Sequence, residues 1–498
     1  MGKLINRKKQ LFSEEELEDD EIEDIDEDDF DIDDDDDDDD DEDDDDDDDD
    51  DIEEEDDEVE EEESEEDRRS YRRKRRVRNQ IIAYCVVVLF VIALVVGGIV
   101  AGQRISASVK AKKQEAELEA ARLEQEQEQQ QPDEMIIESP PTIEVATMDE
   151  QIDELVDSII SSMPLEDKVA GLFIITPEAL TGVETVTKAA DATQEALKQY
   201  AVGGLIYFSQ NIIDKEQLTE MLSATASMSS YPIFLAVDEE GGEVSRIANS
   251  DIDVIKVDSM ADIGANGDAA AAYETGMTIG SYLKDLGFNL DFAPVADVVT
   301  DEGSDILGSR SFGTDAGVCA EMVTNVVDGM QGTGVSACLK HFPGVGSANE
   351  DTHDGKVEME TTLDSMKNSD FIPFQAGIEA GADFVMVSHV VAVSLDEDMV
   401  PSSFSSVVVT DILRGELGFD GVIITDALDM GAITDNYASD EAAIKAIVAG
   451  VDMLLMPENF EEAYTGLLTA VQEGVISEER INESLRRIYR IKYANKLT

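Results

Sequence analysis

Histidine is scarce in this chain, with three in 498 residues. Cysteine is equally rare, and one of the three, Cys85, falls inside an apolar run. The other two, Cys319 and Cys338, are too few for a disulfide framework, and spacing alone does not say whether they pair. Cations are few as well: Lys+Arg number 36 against 117 Asp+Glu, a formal net charge of -81. That surplus, which persists beyond the most acidic segment, argues against nucleic acid as a partner. Several signatures of chemistry are absent. There is no H-x-x-x-H or C-x-x-C pair, no Walker loop, no G-x-G-x-x-G after a strand and no G-x-S-x-G. Neither a metal nor a cofactor is expected.

What the chain does have is unevenly placed. Residues 11–67 hold 46 of the acids, and Asp33 to Asp51 is nineteen unbroken carboxylates, all Asp except Glu42. Such a run repels itself and has almost nothing apolar to bury, so residues 1–67 are expected to be a disordered acidic tail. The tail could bind cations or a basic partner, or serve only as a solvated extension. Next comes "RRSYRRKRRVR", residues 68–78, with eight Lys/Arg, within a basic segment 68–80. Residues 81–102, "IIAYCVVVLFVIALVVGGIVAG", are 22 long and uncharged. As a helix they would reach about 33 Å, enough for a hydrocarbon core of about 30 Å. A buried core helix is the alternative. A cleaved signal peptide fits poorly, because the preceding region is long and the run exceeds a normal apolar core. The segment reads as an uncleaved signal-anchor.

Eight cations precede the span and five follow it within twenty residues: Arg104, Lys110, Lys112, Lys113 and Arg122. The imbalance puts the N-terminus in the cytoplasm and the C-terminal bulk outside the cell membrane. The basic run also suits anionic lipid.

Residues 103–147 are first rich in Ala, Glu, Gln and Lys, then in proline, and read as a helical stalk and a linker. From Met148 the pattern changes. Ile152, Leu155, Val156, Ile159 and Ile160 form a helical apolar stripe. Residues 148–498 then suffice for one large domain. Eight short apolar runs recur there: 171–176, 203–209, 233–240, 288–295, 336–344, 384–390, 421–427 and 452–457. Helical patterns such as "AAAAYETGMTIGSYLKDL" and "SDEAAIKAIVAG" separate them. Continuous apolar strands suit a parallel sheet buried on both faces. Eight of them alternating with helices predict an α/β fold, a (β/α)8 TIM-type barrel. An open doubly wound sheet is the runner-up.

In such a barrel the active site lies beyond the C-terminal ends of the strands. Those ends carry Asp238 with Arg246 after the third run, Asp297 after the fourth and Lys340 and His341 at the fifth. Ser388 and His389 follow the sixth run and Asp426 ends the seventh; His353 sits in the loop after the fifth. All three histidines therefore fall on one rim.

Four stretches, "DEEGGEVSRI", "GSRSFG", "KHFPGVG" followed by "DTH", and "GVIITDALDM", resemble family 3 glycoside hydrolases. The resemblance covers roughly residues 150–498 and is closest to the bacterial single-domain β-N-acetylglucosaminidase branch. It implies a retaining (β/α)8 barrel that removes terminal β-linked GlcNAc from cell-wall glycans or fragments. It implies Asp426 as the nucleophile and His353, paired with Asp351, as the acid/base. It implies Asp238, Arg246, Arg310, Lys340 and His341 as sugar-binding residues. The chemistry is coherent: an ordinary Asp is ionised at neutral pH, imidazole titrates near it, and retention needs one group of each kind. There are two departures. Many relatives read KHFPGHG where this chain has Val345, and the domain that supplies a Glu acid in the two-domain branch is absent. A glucosidase or xylosidase, a GlcNAc phosphorylase, and a catalytically silent glycan-binding scaffold remain alternatives.

Overall fold

The computed structural model describes residues 147–300, 307–348, 352–353 and 355–497. The expected acidic tail, basic segment, membrane span and stalk lie outside the described residues, as does Asp351. Among the described residues no helix is long and apolar enough to cross a membrane.

Every one of the eight apolar runs contains a strand. They are β1 (Phe173–Ile175), β2 (Gly204–Ile206), β3 (Phe234–Val237) and β4 (Leu290–Asp291). Then follow β5 (Ser336–Phe342), β6 (Phe384–Val387), β7 (Val422–Ala427) and β8 (Met453–Leu455). Each pairs in parallel with its neighbours in sequence, and β1 closes on β8, Phe173 opposite Leu454. This closure excludes the open sheet. Helices cover the outer faces of the strands, so a residue pointing outward is as dry as one pointing inward. The strand residues of β1, β2 and β3 are accordingly all buried.

The helices follow from local chemistry. Helix Ala269–Leu286 starts where the Asp268 side chain accepts from Ala270 N and stops at Gly287, whose φ of 107 suits glycine. Helix Met148–Ser162 opens with a reciprocal capping box between Thr147 and Glu150. Its apolar stripe is narrower than expected. Ile152, Val156 and Ile160 are buried, whereas Leu155 is 43% exposed. The helix packs on helix Glu478–Leu497, and contact with one helix buries a narrower line than contact with a sheet.

The N-terminal end of the barrel is tied by a buried carboxylate. Asp452, at the start of β8, accepts from Ile423 N at 3.0 Å, Ser484 Oγ at 2.7 Å and Arg487 Nη1 at 3.2 Å. Arg414 also bonds to it. These charges fasten β7, β8 and the last helix together. The opposite end is left to the loops, where the polar residues described next converge.

Candidate active site

The loop after β3 turns back as a small hairpin, Glu239–Gly241 against Val244–Ser245. Side chains alternate along such a backbone. Glu239 points away from the rim and is fully buried, accepting from Ile247 N at 2.7 Å, Ala248 N at 2.9 Å and Tyr282 Oη at 2.8 Å. Burial raises its pKa against those bonds. Asp238 and Glu240, on the other face, meet the cations.

Lys340 Nζ lies 2.9 Å from Asp238 Oδ1 and 2.7 Å from Glu240 Oε1. Arg310 grips Glu240 with both prongs, Nε at 2.8 Å and Nη2 at 2.7 Å. Arg246 Nη2 stands 3.7 Å from Asp238, with its guanidinium over the Phe208 ring at 5.5 Å. Burial alone would raise the Glu240 carboxyl; Lys340 and Arg310 outweigh it and hold the group down at about 2. The carboxylates likewise keep Lys340 and Arg310 charged despite their burial. The structure thus brings together Asp238, Arg246, Arg310 and Lys340. It adds Glu240, which the sequence reading passed over. The signal was present in the alternation of Asp238-Glu239-Glu240, which puts the first and third side chains on one face.

His341 is held from behind. Its Nδ1 lies 2.8 Å from Asp297 Oδ2, which also accepts the His341 N–H at 3.1 Å. Asp297 Oδ1 takes the Val345 N–H at 2.8 Å. With Nδ1 donating to a carboxylate, Nε2 is the nitrogen left for a ligand. Gly346 allows the loop to lie this close, since a Cβ there would sit 1.8 Å from Val298 O.

Asp426 ends β7 half-buried, accepting from Ala427 N at 2.8 Å. Desolvation would raise its pKa; His341, the Ala427 N–H and Lys340 oppose that, and the group is held below the usual range. Asp426 lines a cavity of about 50 Å³ together with Arg310, His341, His353 and Ser388 on its polar side and Leu307, Val345, Ala348, Val390 and Met430 on its apolar side. His353 is exposed at its mouth. Its loop leans on the segment after β7: Gly431 N donates to His353 O at 3.2 Å and Ala432 N to Thr352 O at 3.0 Å.

His389 shares the rim but is not part of the cavity wall. It is fully buried, with Nε2 3.0 Å from Ala427 O and Nδ1 2.9 Å from Ser403 Oγ. A carbonyl can only accept, so Nε2 carries the hydrogen and Nδ1 accepts from Ser403. Burial lowers its pKa and favours this neutral form. Arg246 Nε and Ser388 Oγ, beside the site, are among the polar atoms buried without a partner among the described residues. A larger cavity, about 630 Å³, lies at the other end of the barrel, between the first and last helices and the segments that lead into β6 and β7. Its Arg486 is already paired with Asp157 and Glu479.

The family model for the glycosyl hydrolase family 3 N-terminal domain matches residues 148–491. A solved glycoside hydrolase family 3 beta-N-acetylglucosaminidase from Paenibacillus sp. str. FPU-7 is 35% identical with a TM-score of 0.63, covering 68% of this chain and 63% of that chain. A beta-hexosaminidase from Stenotrophomonas maltophilia (strain R551-3) is 36% identical over 276 residues, 54% of this chain and 80% of that protein. Beta-hexosaminidase A from Pseudoalteromonas piscicida is 33% identical over 327 residues, 60% of this chain; the alignment spans only 54% of that protein's length. The family match runs from the first helix through the barrel to the last helix, and on that ground the chain belongs to glycosyl hydrolase family 3.

Proposed function

We propose that this chain is a retaining exo-β-N-acetylglucosaminidase. The observation that carries the reading is that Asp426 and His353 line one cavity, beside a partly buried cluster of three cations and two carboxylates. The names of the relatives, beta-hexosaminidase and beta-N-acetylglucosaminidase, support the sugar.

Asp426, held ionised, attacks the anomeric carbon and forms a glycosyl ester as the bond to the leaving oxygen breaks. His353, as imidazolium, gives its proton to that oxygen. The neutral imidazole then takes a proton from water, which attacks the ester and frees Asp426. Asp351, two residues earlier in the chain, is the partner that the family resemblance assigns to His353, stabilising the imidazolium as a triad carboxylate does. Asp238, Arg246, Arg310, Lys340 and His341 bind the sugar hydroxyls and acetamido group by charge-assisted hydrogen bonds. The buried, unpartnered Arg246 Nε and Ser388 Oγ are polar groups that a bound sugar would satisfy.

The apolar span and the charge imbalance around it support a single-pass membrane protein with the barrel outside the cell. There its substrates would be cell-wall fragments ending in β-GlcNAc.

The test is a panel of aryl glycosides with the full-length chain in detergent. Turnover of the β-GlcNAc glycoside, with retention and dependence on Asp426, is expected. Turnover of the glucoside or xyloside instead corrects the sugar. A glycosyl phosphate formed when phosphate is present turns hydrolysis into phosphorolysis. Tight glycan binding with no turnover supports a silent scaffold.

A further inference from the structure

Asp370 stands where an aspartate ordinarily caps a helix, immediately before Phe371–Glu379, yet it makes no cap. Its own backbone is helical, φ -60 and ψ -38. The side chain is turned inward instead, 3% exposed, and Oδ1 has no hydrogen-bond partner among the described residues. It presses on the turn that follows His341. A Cβ placed on Gly344 would lie 2.7 Å from Asp370 Cβ and 3.0 Å from Oδ1. Gly344 has a φ of 111, and its N–H donates to His341 O at 2.9 Å. Phe342 fixes this contact by packing on Phe371 at 5.4 Å and Phe374 at 5.2 Å.

The turn from His341 to Val345 therefore lies between two carboxyl groups. Asp297 meets three N–H donors there. Asp370 has an oxygen that meets none. A charge on Asp370 would be buried with no donor at Oδ1 and with a second carboxylate nearby, and both raise the cost of ionising it.

We propose that Asp370 is a positioning residue for His341: as an uncharged carboxyl it wedges the Gly344 turn, and its ionisation disturbs the Asp297–His341 pair. The charged group that faces it is Asp297, from the loop after β4, with His341 of β5 beyond. Lys367, on the preceding helix, is engaged by Glu416. Burial first, and then Asp297, pushes the Asp370 carboxyl up to about 7.

This inference rests on the glycosidase reading for its kinetic consequence but not for its structural one. Because the chain has three histidines, selective labelling of histidine in the full-length chain gives three ring spectra. Single-histidine variants assign them. On titration from pH 6 to pH 8, the His341 ring signals of the native chain should depart from those of Asp370→Asn, and the difference should have its midpoint near 7. The ratio of kcat/KM, Asp370→Asn over native, should rise about tenfold across the same range, as expected for one ionisation that disables the native site. The ratio removes any contribution from His353. Identical His341 titrations in the two proteins overturn the proposal, whatever the activity. So does a difference between the two titrations that has no midpoint near 7. Absence of turnover with the differential His341 response preserved counts against the glycosidase reading alone.

Discussion

Replacing Glu240 by Gln removes one charge and almost no volume from the centre of the cation cluster. In the native site the carboxylate meets Arg310 at 2.7 and 2.8 Å and Lys340 at 2.7 Å, with its side chain 1% exposed. Its pKa falls from 4.5 to about 2, which corresponds to about 3 kcal/mol of preference for the charged form. A Coulomb estimate for one such contact at 2.7 Å and an effective dielectric of 20 is about 6 kcal/mol, and desolvation of the carboxylate offsets much of the attraction of the two cations. The shift is downward, so the contribution is present in full above the unfolded pKa and is lost as pH falls through the folded one. At pH 7 the variant should therefore lose about 3 kcal/mol, on the order of 5 °C in Tm for a domain of this size. The gap should close as pH falls from about 4.5 towards 2. Binding should suffer too. Lys340 keeps Asp238, but Arg310 loses its bidentate partner, and misplacement of that guanidinium should cost about 10- to 100-fold in kcat/KM. Calorimetry at pH 7 and pH 3, with kinetics on an aryl β-GlcNAc glycoside, checks both effects. Unchanged Tm and unchanged KM at pH 7 would refute the reasoning, because Arg310 and Lys340 would then need no buried anion.

Asp426→Asn should lower kcat by roughly 10⁴-fold without abolishing binding, measured by turnover and by displacement of a bound GlcNAc analogue. His353→Ala should cost about 10²- to 10⁴-fold with a poor leaving group and far less with dinitrophenol, which needs no proton. The interactions that depress Asp426 should place the acid limb of kcat/KM below the ordinary carboxylate range, so an acid limb above that range contradicts this electrostatic account. Asp452→Asn should destabilise by about 3 kcal/mol, because it removes a fully buried anion from three half-buried arginines. Activity per folded molecule should not change, which denaturant unfolding paired with kinetics resolves.

The barrel was legible because strands buried on both faces are written as continuous apolar runs, and each of the eight runs contains a strand. The width of the first helix's buried face was not, because Leu155 is apolar but its neighbour is a single helix. At the site, Asp238, Arg246, Lys340 and His341 could be picked out at the strand ends or just beyond them. Glu240 was hidden among three consecutive acids whose alternation matters more than their charge. Arg310 reaches the cluster from the short helical turn Gly308–Arg310 in the long connection after β4, whose path no periodicity encodes. The histidines look alike in sequence and differ in space. His341 is held by Asp297, His353 is exposed at the cavity mouth, and His389 is sealed behind Ala427. Asp370 precedes a helix without capping it, and nothing in the sequence marks its inward side chain.

The proposed mechanism requires a covalent bond between the sugar and Asp426. A slow fluorinated β-GlcNAc glycoside, incubated with the full-length chain and followed by digestion and mass spectrometry, tests it directly. The expected result is one added glycosyl mass on the peptide that contains Asp426. Turnover of the ordinary substrate together with an adduct on another residue contradicts the assignment.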